Sequence, residues 1–381
     1  MRWTTTRLYC QRVSVKCHVY YRQLVSGERQ KFADISLLAV LKLCAGLYAA
    51  IMRLRALAYK YRILQVKRLP LPVISVGNIT IGGTGKTPAV LLIARELIAR
   101  GKRVAVLTRG YGGSLEGETR IVSDGKSLLL TPAEAGDEPC LLAASLPGLM
   151  VVMGSDRYRG GCLAIKERSP DCFILDDGFQ HQRLHRDLDI ILLDAALPFG
   201  NGWTLPAGFL REPPSAACRA DFVILTRSND VAIEVAGLPE QIPLCRSSHT
   251  LTGYTLLSGV ELHPFRKLQE KRIVAFCGIA DPEAFFKSLE SSGVQLVATL
   301  AFPDHSKYGA REMEALGRLK QQSRADCLLT TAKDAVKLTP FSGIIGDCLV
   351  AQLELTLYDA EPLNAALNKL FQAGGIHGAI P

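Results

Sequence analysis

Lys86 and Thr87 close a glycine-rich run, Gly82-Gly83-Thr84-Gly85-Lys86-Thr87-Pro88, that follows the apolar stretch 71–77. An apolar helix-period stretch, 89–97, comes next. Strand, glycine turn, Lys-Thr and helix is the order a phosphate-cradling loop requires. Glycines let backbone N–H groups converge on phosphate oxygens, and the helix N-terminus favours negative charge. Gly82, Gly83, Thr84 and Gly85 would wrap the phosphates, Lys86 would reach the β/γ-phosphates, and the Thr87 hydroxyl would sit on Mg²⁺. Pro88 suits a first helical turn, where its missing N–H is no loss. The run departs from G-x-x-x-x-G-K-[ST] once, with Thr80 where glycine is usual. The glycines at 82 and 83 supply the backbone freedom instead. These residues predict a nucleotide-phosphate site.

Asp176 and Asp177 end a second apolar run, 173–175, and precede Gly178. A turn after a strand favours one Asp before Gly and leaves the second unexplained, whereas a P-loop protein needs an acid there to hold Mg²⁺. Gln180 follows, polar and placed for the same cleft. Gly136-Asp137-Glu138-Pro139 is an acidic loop, and Phe302-Pro303-Asp304-His305 follows a strand far downstream. Taken singly, each is as compatible with an ordinary turn or a structural histidine. Together, Asp137 and His305 suggest a dyad in which a carboxylate takes a hydroxyl proton and an imidazole orients it. Arg109 and Tyr111 lie just past a strand, as does Arg157, and Arg211-Glu212 sits on a loop. Arginine suits phosphate and Glu suits a metal or a sugar hydroxyl, but a surface salt bridge explains each equally well.

Such residues need a scaffold that brings strand ends together. Candidate strands at 72–77, 103–108, 150–153, 172–176, 189–194 and 222–226 alternate with helical stretches, the pattern of an α/β, doubly wound, mostly parallel sheet. Regularity lapses over 231–270, which reads as a linker. A second, smaller α/β alternation follows: strands near 273–278, 297–300 and 327–331, with helices near 282–292 and 310–323. The expected organisation is a basic extension over 1–30, a helix within 31–68, a P-loop core over 69–230, the linker, and a smaller domain over 271–381.

The net charge of +9 is uneven: the first 68 residues hold 14 Lys/Arg against Glu28 and Asp34, a local +12 that leaves the rest at −3. Basic sequence beside apolar sequence points to an anionic membrane surface, and no aromatic–basic platform argues for nucleic acid. Within 35–51 only Lys42 is charged. That run falls short of the ~20 residues of a spanning helix, and its central lysine disfavours a bilayer interior. It predicts a peripheral, interfacial helix, ahead of a single span or a helix simply packed on the body. The first 30 residues have the charge of an organelle transit peptide, or of an extension beyond the functional start. The 11 cysteines are scattered without a C-x-x-C pair, which predicts reduced thiols facing the cytosol.

The motif set as a whole resembles the tetraacyldisaccharide 4′-kinases of lipid A biosynthesis. The resemblance rests on GNITIGGTGKTP (77–88), TRGYGG (108–113), AGDEP (135–139), SDR (155–157), LDDGFQH (175–181), FGNGWTLPAGFLREP (199–213), FPDH (302–305) and KDAVK (333–337). It implies that ATP and Mg²⁺ bind at the P-loop, with Thr87, Asp176, Asp177, Gln180 and Glu212 around the metal. It implies that Asp137 and His305 activate the acceptor hydroxyl, with Lys86 and Asp177 also catalytic. Arg109, Tyr111, Arg157 and Arg211 would serve phosphate charge and an acylated disaccharide substrate. The resemblance also implies an N-terminal helix docked peripherally on the cytoplasmic face of the inner membrane, and a β-ribbon joining the two α/β units. Ala332 stands where many members have Glu. The rival readings are a P-loop GTPase or metallochaperone, and a membrane nucleotide sensor without catalysis. For the first, Lys333 and Asp334 are adjacent, which breaks the N/T-K-x-D spacing of guanine recognition.

Overall fold

The computed structural model describes residues 20–228, 235–259, 261–304 and 306–373. The expected extension up to residue 19, and His305, lie outside the described residues. Twelve strands form one sheet in the order β10-β9-β11-β12-β8-β7-β6-β1-β5-β2-β4-β3. They are β1 (Val73–Gly77), β2 (Val104–Thr108), β3 (Arg120–Asp124), β4 (Met150–Met153), β5 (Cys172–Asp176), β6 (Leu188–Asp194), β7 (Phe222–Thr226), β8 (Leu244–Leu256), β9 (Ile273–Cys277), β10 (Leu296–Ala301), β11 (Cys327–Thr331) and β12 (Cys348–Leu357). The helices that matter below are α1 (Phe32–Lys60), α2 (Lys86–Ala99), α3 (Asp137–Ser145), α4 (Arg157–Arg168), α5 (Pro282–Ser291), α6 (Ala310–Gln322), α7 (Ala332–Leu338) and α8 (Glu361–Ala373).

The central strands read as unbroken apolar runs because both faces are covered. Alternate residues feed two cores. Ile74 and Val76 pack with Val90, Ile93 and Leu97 of α2, while Val73, Leu107 and Phe173 pack with Ala164 of α4. Around β1 the pairing is parallel on both sides, with β5 and β6. The first half of the sheet is thus doubly wound, with the antiparallel β3 at its edge.

The segment expected to be an irregular linker carries a 13-residue strand. β8 begins parallel to β7 at Leu244–Arg246, then continues antiparallel to β12 from Ser247↔Leu357 to Leu256↔Leu349. β12 in turn runs parallel to β11. The two parallel halves therefore point in opposite directions and are laid end to end along this ribbon, with the carboxyl ends of their strands facing each other. In open α/β sheets ligands bind outside those carboxyl ends, and here two such ends enclose one cleft. After β12 the chain returns to the first half. Leu363 and Leu367 of α8 are buried in the core that holds α2, and Arg100 donates to Asn368 Oδ1 at 2.8 Å. Burying those two leucines is worth about 1.5–3 kcal/mol each. The last helix thus lies with the P-loop core, not with the smaller unit over 271–381.

α1 is longer than the expected 35–51 run, 29 residues in all. One face is tied to the body: Ala45 O accepts from Thr204 Oγ1 at 2.9 Å, Tyr48 Oη donates to Arg211 O at 3.0 Å, and Arg55 Nη2 donates to Gln180 O at 3.2 Å. The other face carries Val40, Leu43, Leu47, Ile51 and Leu54 in the open, Leu43 being 77% exposed. By length and composition the helix could cross a membrane.

Candidate active site

β1 delivers the chain into the P-loop through Asn78, which is fully buried. Asn78 Nδ2 donates to Thr84 Oγ1 at 2.7 Å and to Thr80 Oγ1 at 3.3 Å, and its Oδ1 accepts from Lys86 Nζ at 3.3 Å. One side chain thus holds both ends of the loop and aims its lysine. Gly85 caps α2 with φ +80°, and no acid occupies the first turn, so the helix N-terminus is left open to anions.

Asp176 and Asp177 lie beside it at the end of β5. Asp176 accepts from Thr108 Oγ1 at 3.0 Å, which explains the position of the threonine in TRGYGG. Burial, then the neighbouring Glu138 and Asp177 charges, push its carboxyl up from the ordinary 3.8 to about 6. Asp177 is pushed upward by burial too, but the Lys86 and Arg211 charges outweigh it and hold it below the usual carboxylate range. Lys86 Nζ stands 3.6 Å from its Oδ1, and Arg211 Nη1 donates to both its oxygens at 3.0 and 2.8 Å. Two adjacent carboxylates shifted in opposite directions mark a candidate functional site.

The raised Asp176 has a stability consequence. Between about pH 4 and about 6 the unfolded chain releases this proton while the folded one keeps it, so its contribution to stability falls as pH rises and then levels off. Asp176→Asn should therefore stabilise the protein by on the order of 3 kcal/mol above that window and by little at pH 4. Urea denaturation at both ends of the range measures this; an equal gain at both would refute it.

Asp137 is the first residue of α3, behind Gly136 at φ +92°. A Cβ on Gly136 would lie 2.4 Å from Tyr111 O, so only glycine lets the AGDEP and TRGYGG loops interlock. The helix N-terminus favours a carboxylate at this place. Across the cleft, Lys337 of α7 brings its Nζ to 3.5 Å from Asp137 Oδ2. This contact joins the two opposed halves at a predicted catalytic residue.

The arginines divide. Arg211 belongs to the Asp177 cluster. Arg157 is buried below it, with Nη1 donating to Gly154 O at 2.8 Å, so it is no surface salt bridge. Burial lowers its pKa, with the Asp176 charge opposing. Arg109 sits exposed over the Tyr111 ring, 5.9 Å from its centre, on the rim. Glu212, expected in the metal shell, is held in an ion pair. Both its oxygens accept from Arg219, at 2.7 and 2.8 Å, and Arg219 lies 3.9 Å from the Phe179 ring centre. A buried carboxylate next to a guanidinium takes the bidentate pair because leaving it unpaired would be costly. Gln180 does face the site: its Nε2 donates to Asn78 O at 2.8 Å, and its buried Oε1 has no hydrogen-bond partner among the described residues.

Three contacts escaped sequence reasoning. Asn78 is one. Arg227, after β7, donates to Gly83 O and to Asp194 Oδ2, both at 2.7 Å. His249, on ribbon strand β8, lies against Gly85, where a Cβ would come 2.1 Å from its Nε2. Burial, then Arg227, lowers its pKa to about 4, so the ring is neutral. Gly85→Ala should cost roughly 1–2 kcal/mol from the left-handed backbone alone, with the ring clash added. Thermal melts should show part of that loss recovered in Gly85→Ala/His249→Ala, and no recovery would clear the ring of blame.

The profile of the tetraacyldisaccharide-1-P 4′-kinase family matches residues 37–372. The tetraacyldisaccharide 4′-kinase of Geobacter metallireducens is 55% identical over 337 residues, covering 88% of this chain and 99% of that protein. The Pelobacter propionicus enzyme of the same name is 52% identical over 357 residues, covering 93% and 98%. A crystal structure of "apo" form LpxK from Aquifex aeolicus in complex with ATP superposes with a TM-score of 0.76 at 35% identity, covering 88% of this chain and 99% of that one. With near-complete coverage and this much identity, the chain belongs to the tetraacyldisaccharide-1-P 4′-kinase family.

Proposed function

We propose that this chain transfers the γ-phosphate of ATP to the 4′-hydroxyl of a tetraacyldisaccharide 1-phosphate, a step of lipid A biosynthesis. The observation that carries the reading is the convergence of the P-loop, the Asp176–Asp177 pair and Asp137 on one cleft, in a chain of this family. The acceptor oxygen attacks the γ-phosphorus in line, the bond to the β-phosphate oxygen breaks, and ADP leaves. Asp137 takes the hydroxyl proton, and His305 orients the exchange. Lys86 stabilises the charge that spreads over the transferring group. Arg157 and Arg211 serve phosphate charge from below, and Arg109 and Tyr111 meet the acceptor at the rim.

The residues fit Mg²⁺. Asp176, Asp177 and Thr87 offer the hard oxygens it prefers, Glu138 and Asp177 crowd Asp176 with negative charge, and the Gln180 Oε1 is unpartnered among the described residues. Bound there, the ion would neutralise phosphate charge. Glu212 is outside this set.

The lipid would approach along α1. A cavity of about 550 Å³ opens between its second half and the 184–219 region, lined by Met52, Leu57, Val66 and Leu184 beside Arg53 and Arg186. Apolar walls with basic groups suit an acylated, phosphorylated substrate. The exposed apolar face of α1 would lie in the cytoplasmic leaflet, with Arg53 and Lys60 near the headgroups. Its other face is committed to the body, so a peripheral helix suits it better than a span.

The test is transfer of γ-phosphate from ATP to a tetraacylated diglucosamine 1-phosphate in detergent micelles. Transfer is expected; folded, ATP-binding protein that transfers nothing would overturn the acceptor assignment.

A further inference from the structure

The KDAVK run is the one motif that the reaction outlined above leaves without a role. It forms α7, capped by Thr331, whose side chain accepts from Asp334 N. Lys337 is almost fully buried, 8% exposed. An ammonium so placed is tolerable only if its donors are matched. Its surroundings supply three oxygens: Ser306 O accepts a hydrogen bond at 3.1 Å, and the carboxylates stand in ion-pair range, Asp334 Oδ1 at 3.1 Å and Asp137 Oδ2 at 3.5 Å. The Tyr308 ring centre lies 5.2 Å away, presenting a π-face to the charge.

These oxygens come from three separate places. Asp334 is rigid: it is fully buried, and its Oδ2 accepts from Gly278 N at 2.9 Å and Thr331 Oγ1 at 2.7 Å. Ser306 belongs to the loop after β10. Asp137 belongs to the opposite half of the molecule. One turn earlier on α7, Lys333 Nζ reaches Asp304 Oδ1 at 3.3 Å. The helix therefore grips the 302–308 loop on both sides of position 305, and the same helix touches Asp137.

We propose that Lys337 is a positioning residue for phosphoryl transfer, fixing the Asp137 carboxylate and the 302–308 loop relative to each other across the cleft. The proposal rests on the kinase reading above and deepens it. The contacts of Lys337 are with Asp137, Ser306, Asp334 and Tyr308. It holds the proton-accepting carboxylate at one distance from the loop that completes the site, where a displacement of about 1 Å can cost roughly a hundredfold in rate.

The experiment compares Lys337→Met, Asp137→Asn and the pair of them in the micelle assay, with melting curves. Lys337→Met leaves Asp334 buried without its cation, so Lys337→Met/Asp334→Asn is made alongside it to keep the buried site neutral and the protein folded. We expect kcat to fall about a hundredfold in both Lys337 variants with the KM for ATP unchanged, since the P-loop is untouched. In Lys337→Met/Asp137→Asn the loss should be no greater than in Asp137→Asn alone, because both act through one carboxylate. A folded Lys337→Met/Asp334→Asn with wild-type kcat would overturn the proposal, and so would losses that multiply in the Asp137 pair. Wild-type protein that transfers nothing to the acceptor would instead sink the functional reading on which the proposal depends.

Discussion

Asp137→Asn is expected to lower kcat for transfer by roughly 10²- to 10⁴-fold, the usual contribution of a positioned general base. The asparagine keeps the size and polarity of the side chain and can still accept from Lys337, so the local packing survives. What it lacks is the ability to take the 4′-hydroxyl proton as the phosphorus–oxygen bond forms. Because Asp137 sits on α3 and the nucleotide phosphates bind at the start of α2, the KM for ATP should stay unchanged. Steady-state kinetics against ATP and against the lipid acceptor separate the two. Near-wild-type kcat in the variant would remove Asp137 from the reaction.

Lys86→Ala should act differently. Its ammonium is the cation the P-loop aims at the β/γ-phosphates, and it is steered by Asn78 on one side and Asp177 on the other. Removing a preorganised charge of this kind costs about 10²- to 10³-fold in kcat. Here ATP binding should weaken as well, because ground-state phosphate also loses its partner. Asp177 retains the bidentate Arg211, so the protein should fold. Isothermal titration with ATP and the transfer assay together give the signature: both fall in Lys86→Ala, only transfer falls in Asp137→Asn. A Lys86→Ala protein with wild-type ATP affinity would show that the lysine does not reach the phosphates.

Both variants probe the P-loop half of a cleft made by strands that run toward each other. That geometry explains why one reaction needs residues as far apart in the chain as 86 and 337. Asp137, on the P-loop half, meets Lys337 where α7 arrives from the other half. The ribbon of β8 and β12 sets the spacing between the halves, and His249 places a ribbon side chain directly on the phosphate loop.

Much of this was legible in the chain itself. The parallel strands β1, β5 and β7 announce themselves because burial on both faces demands unbroken apolar runs. The P-loop is legible because phosphate binding imposes glycine, lysine and threonine at fixed spacing, and Asp176–Asp177 because a strand end with two acids has no simple structural use. Those are local demands, met by neighbours in sequence. β8 was not legible: its sequence, LCRSSHTLTGYTL, has neither an apolar run nor clean alternation, and it is a strand because β12 pairs with it a hundred residues later. The segment that forms α8 falls within the expected smaller unit, 271–381, until Leu363 and Leu367 are seen beside α2. Likewise Arg211-Glu212 looks like one functional pair, yet the backbone turns between them, giving Arg211 to Asp177 and Glu212 to Arg219. Sequence alone determined which chemistry the chain can perform, because that chemistry is written in residue types at short spacing. Only the tertiary structure decided which side chains serve it together, because a contact such as Asp137–Lys337 is fixed by the packing of whole elements and leaves no trace in the residues between.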